Sequence, residues 1–178
     1  MEIPELLKNY MKGIATHHPG IAHSDVDGEI AFAIDQLSDF LDGIFKTALK
    51  PEGVMLRYID PQFRPFNDEV EGMNMMIETG FAVIERIQEL TTESIENAKH
   101  NCFKIIKEII ARIIIDSRNG HQLLQYALNQ LQQGEWVISP IFFQNDGYWA
   151  GHLVTYKFQT EYIEDVQEMV TQTAWTDI

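Results

Sequence analysis

The apolar positions of the chain change period several times, and each change marks an expected element. Ile3, Leu6, Leu7 and Tyr10 recur at helical spacing and predict a short helix from Ile3 to Lys12, after which Gly13 to His23 breaks the pattern. Ser24 then reads as an N-cap. Asp25, Asp27 and Glu29 follow it, where the positive end of a helix dipole favours acids. A helix is expected from there, with Ile30, Ala33, Ile34, Leu37, Leu41, Ile44, Phe45 and Ala48 on one face and Pro51 and Gly53 closing it.

Val54 to Ile59 is rich in β-formers and predicts a strand that enters a loop over Pro61 to Asp68. From Met73 to Ile87 the odd positions alternate as in a strand, while Met73, Met76, Ile77, Phe81 and Ile84 also fit a helix. Thr79-Gly80 weakens the helix, so the segment is read as a long strand pairing with Val54 to Ile59. Thr91 or Thr92 caps a long helix reaching about Asp116. Its core face is Ile95, Ala98, Cys102, Ile105, Ile106, Ile109, Ile110 and Ile113, with Lys99, Lys104, Lys107 and Arg112 outward. Asn119-Gly120 turns the chain into a shorter helix, Gln122 to Gln132, stopped by Gly134. Trp136 to Phe143 and Tyr148 to Thr160 form a hairpin around Asn145-Asp146-Gly147, and Pro140 places its first strand at an edge or a bulge. These elements predict one α+β domain over residues 1–178, with about four mostly antiparallel strands packed against two or three helices, one of them long.

Charge narrows the partners. Thirteen basic against 27 acidic side chains give a formal charge of -14, which repels nucleic-acid phosphates and anionic membrane surfaces. The acids are concentrated between Lys12 and Lys46 and again after Lys157, where each run has no Lys or Arg. Such runs are solvated faces or surfaces matched to a basic partner. The single cysteine, Cys102, excludes an intramolecular disulfide and reads as a buried thiol beside Ile105 and Ile106. Met1-Glu-Ile-Pro-Glu lacks the features of a signal peptide, and no apolar run is long enough to span a membrane. A cytoplasmic protein, or one packaged from a cytoplasm, is expected.

Candidate chemistry is sparse. His17, His18 and His23 cluster beside Asp25 and Asp27, ligand types that suit zinc, iron or manganese, but their spacing matches no established metal motif. Glu96 and His100 stand at i, i+4 and read as a surface pair. None of the six histidines follows an acid by three residues, as a di-iron bundle requires, and no nucleophile elbow, phosphate loop, dinucleotide turn or zinc helix occurs. No catalytic residue, metal ligand or cofactor is therefore assigned. The aromatic residues Trp136, Phe142, Phe143, Tyr148, Trp149 and Tyr156 of the hairpin, with Trp175 of the tail, are the candidate interaction surface, since both faces of a hairpin cannot be buried without a cover.

The run from Ile138 through Ser-Pro-Ile-Phe-Phe-Gln-Asn-Asp-Gly-Tyr-Trp-Ala to Gly151, followed by an alternating strand and an acidic tail ending in Ala-Trp-Thr-Asp, resembles small virion proteins of tailed phages and prophages. The likeness extends to the order of elements in tail-terminator and neck proteins. It implies a structural protein that assembles as a ring or other oligomer with itself and with other virion proteins, in the host cytoplasm and then the virion. The other class left open is a small metal-dependent enzyme or binding protein using His17, His18 and His23.

Overall fold

The computed structural model describes residues 3–41, 52–68, 72–118, 136–144 and 147–161. The first helix, α1, spans Ile3–His17 and runs through Gly13 rather than ending at Lys12. One glycine costs a helix about 1 kcal/mol. The turn beyond it buries Ile14 and Ala15 in line with Leu7 and Met11, which offsets that cost.

The long helix expected after Ser24 does not form over the described residues. Ser24 Oγ accepts a bond from the Val26 amide within a turn, and Gly28 lies at φ 85°. Residues Phe32–Asp35 are a strand, β1, and only Leu37–Leu41 are helical, as α2. The run Ile30-Ala-Phe-Ala-Ile34 fits both a helix stripe and a fully buried strand. Parallel pairing with the next strand, Phe32 opposite Leu56 and Asp35 opposite Ile59, decides for the strand. The remainder of that expected helix, the Asn119-Gly120 turn and the Gln122 to Gln132 helix lie outside the described residues.

Strand β2, Val54–Asp68, includes the stretch expected to be a loop. Its register against β3, Gly72–Ile87, shifts between Ile59 and Gln62 and then resumes as far as Asp68 opposite Gly72. Asp60-Pro61 thus marks an irregularity within the strand, a place where a proline without its amide donor is tolerated. The 27-residue helix α3, Thr92–Arg118, is as predicted. Thr91 caps it: its Oγ1 accepts from the Ser94 amide at 3.1 Å, and the Ser94 hydroxyl answers the Thr91 amide at 3.2 Å. The hairpin is β4, Val137–Gln144, and β5, Tyr148–Glu161.

These strands form one five-stranded sheet in the order β1-β2-β3-β5-β4, parallel only between β1 and β2. The fold is α+β, with one strand more than expected. Helices α1 and α3 pack on one face, over β2 and over β3 with β5 respectively. The core there joins Leu7, Met11 and Ile14 of α1 and Cys102, Ile106 and Ile109 of α3 to Leu56, Tyr58, Phe81, Val83, Val154 and Tyr156 of the sheet. The opposite face carries a second cluster: Phe40 of α2 with Met55, Ile59, Ala82, Ile84, Trp149 and Leu153.

Candidate interaction surface on the outer hairpin

Alternation along β4 and β5 separates the aromatic residues by face. Even positions point to the side of α3, odd positions to the side of α2. Trp149 is fully buried among Phe40, Met55 and Ile84, with the Arg86 guanidinium 5.6 Å from its ring centre. Tyr156 is buried on the other face against the Trp136 ring, 4.6 Å between centroids, and burial raises its hydroxyl pKa. Phe143 is partly buried and meets Phe40 edge-on at 5.1 Å. These four side chains are core or its margin.

Two of the expected surface residues remain at the surface. Phe142 is 42% exposed, and its ring stacks on that of half-buried Tyr148, 6.4 Å apart and 14° from parallel. Val137, absent from the sequence-based set, is 51% exposed on the same strand and on its opposite face. Trp175 lies outside the described residues. Strand β4 is the last of the sheet: β5 lies on one side, and no strand among the described residues pairs with its other side. Residues 136–144 also contain no charged side chain, in a chain of net charge -14. The signal that could have found Val137 is that absence of charge over a whole edge strand.

The histidine loop is organised differently from a metal centre. His17 Nδ1 lies 2.7 Å from the Gly13 carbonyl oxygen. His18 accepts the Gly20 amide at Nδ1 and contacts Glu108 of α3 at 3.0 Å through Nε2. His23 is buried and accepts the Ala31 amide. Each ring serves a different structural bond, and among the described residues no group of three His, Cys, Asp or Glu side chains could hold a metal ion. Glu96 bonds Lys99 at 3.0 Å, in place of the expected pairing with His100.

The one thiol is placed unfavourably for reaction. Cys102 is buried under the sheet, where loss of solvation pushes its thiol pKa well up and Glu85 adds to the rise. An open pocket of about 730 Å³ lies between the Gly53 turn and the Gly147 turn, lined by Glu52, Glu85, Arg86, Gln88 and Tyr148. Its Glu85 already accepts a bond from Asn101 at 2.9 Å. The lining offers no cysteine, serine or histidine, and its ionisable groups are Glu52, Glu85, Arg86 and Tyr148. Among the described residues, no helix is long and apolar enough to cross a membrane. No family model, curated protein or solved structure matches the chain.

Proposed function

We propose that this chain is a structural or assembly protein that acts through protein–protein contacts, with the outer edge of β4 as its contact surface and a second copy as its first partner. The observation that carries this reading is the edge strand itself, which exposes Val137 and Phe142 and has no charge along its length. Edge strands are commonly guarded by charge, because open backbone groups invite another strand. Here Pro140 is the only guard of that kind, since it lacks an amide donor, and the side chains around it are left apolar. Contact through those side chains fits a protomer that avoids bringing its acidic faces together. Within that class, the resemblance of the hairpin and acidic tail supports a tail or neck component of a tailed phage, built into a ring.

Size-exclusion chromatography with light scattering tests the reading. The wild-type chain is expected to run as a discrete oligomer at micromolar concentration, and the Val137→Lys/Phe142→Lys variant as a folded monomer. A wild-type monomer at the highest concentration reached, or an oligomer untouched by both lysines, overturns it.

A further inference from the structure

The segment between α1 and β1 folds back on itself through backbone bonds. The Ile21 and Ala22 amides donate to the His18 carbonyl, the His23 amide to that of Ala15 in α1, and the Ser24 amide to that of Glu29. Ala22 takes a left-handed φ of 50°, a conformation that disfavours a side chain with Cβ. One side-chain bond ties this loop to the sheet: the Ala31 amide donates to Nδ1 of buried His23 at 3.2 Å. Ala31 in turn accepts the Leu56 amide through its carbonyl, immediately before β1 begins. Since Nδ1 is the acceptor, the neutral ring carries its proton on Nε2, which lies 3.3 Å from Asp25 Oδ1.

A second proton has only Nδ1 to occupy, where it would face the Ala31 N–H donor to donor. The groups that face the ring offer limited compensation. Asp25 is largely exposed and already binds Lys12 of α1, at 2.8 and 2.9 Å, and the ring also meets the apolar ring of Phe32, with 5.9 Å between centroids. We propose that His23 is an acid-sensitive latch: protonation at Nδ1 breaks the bond to Ala31 and frees the α1–β1 loop from the start of the edge strand β1. Loss of solvation lowers the His23 pKa from 6.5; Asp25 opposes the shift and Lys12 adds to it. With its folded pKa below the unfolded one, the ring stabilises the closed loop at pH above 6.5, and that contribution is lost as pH falls through and below this value.

Nuclear magnetic resonance on the whole chain between pH 7.5 and pH 5 tests the latch. The Ala31 protection factor, taken against the intrinsic exchange rate at each pH, is expected to fall by up to about tenfold per pH unit as pH drops from about 6.5 towards the midpoint of the His23 ring titration, and to level off below that midpoint. Protection of the β3 amides is expected to hold. In His23→Asn, whose Oδ1 can accept the same amide without titrating, the pH dependence at Ala31 should vanish. Constant Ala31 protection in the wild type, a fall that begins only below the ring midpoint, or an equal fall in His23→Asn each overturns the proposal. The wild-type comparison of ring and amide stands even if the variant folds poorly.

Discussion

Single atoms decide two positions in the long strands. A Cβ on Gly80 would stand 2.3 Å from the Val154 carbonyl oxygen, and one on Gly151 would stand 2.0 Å from that of Val83. Both obstacles are backbone, so neighbouring strands would have to part. Gly80→Ala and Gly151→Ala are each expected to destabilise the fold by about 2–4 kcal/mol, read from urea denaturation. A comparable cost applies at the buried ion pair on the α2 side of the sheet, where Arg57 donates to both oxygens of Asp35 at 2.5 and 2.6 Å. Asp35→Ala takes a bidentate carboxylate from a fully buried guanidinium and should cost about 3–5 kcal/mol. The double replacement Asp35→Leu/Arg57→Met, which removes both charges, should cost less than Asp35→Ala alone in the same assay.

At the level of elements, caps and packing share the work. The reciprocal bonds of Thr91 and Ser94 satisfy amides at the start of α3 that have no partner within the helix. Thr91→Ala is expected to lower stability by about 1 kcal/mol, measured as a shift in denaturation midpoint at unchanged slope. Helices α1 and α3 are also joined by Tyr10, whose hydroxyl donates to Asp116 at 2.9 Å while Arg112 donates to the same carboxylate oxygen. Elements with one unmixed period, α3 and the β4–β5 hairpin, were legible in the sequence, and Thr79-Gly80 decided the mixed pattern of β3 for the strand. The segment after Ser24 was misread because acids, an N-cap residue and a 3.6-residue stripe are local signals. They compete there with a strand whose partner, β2, lies about twenty residues further along the chain.

Across the whole molecule, net charge and apolar surface pull in opposite directions. Copies carrying -14 each repel one another, whereas the contact proposed through β4 is uncharged. Added salt screens that repulsion, with a Debye length near 10 Å at 0.1 M. Self-association is therefore expected to tighten between about 0.05 and 0.5 M sodium chloride, as followed by sedimentation equilibrium. Weakening over that range would place ion pairs, rather than β4, at the interface.

The sequence by itself determined what depends on neighbours along the chain. The period of Ala98, Cys102, Ile105, Ile106 and Ile109 makes α3 a one-faced helix, Asn145-Asp146-Gly147 separates the hairpin strands, and the acid excess disfavours nucleic-acid partners. Tertiary structure alone decided what depends on partners distant in sequence. Pairing with β2 made Phe32–Asp35 a strand, and placement in the sheet buried Trp149 and Tyr156 while leaving Phe142 in the open. The same physical reason covers both cases. An alternating strand announces two faces, but which face meets a core, and whether the strand ends the sheet, is settled only when the other layers are in place.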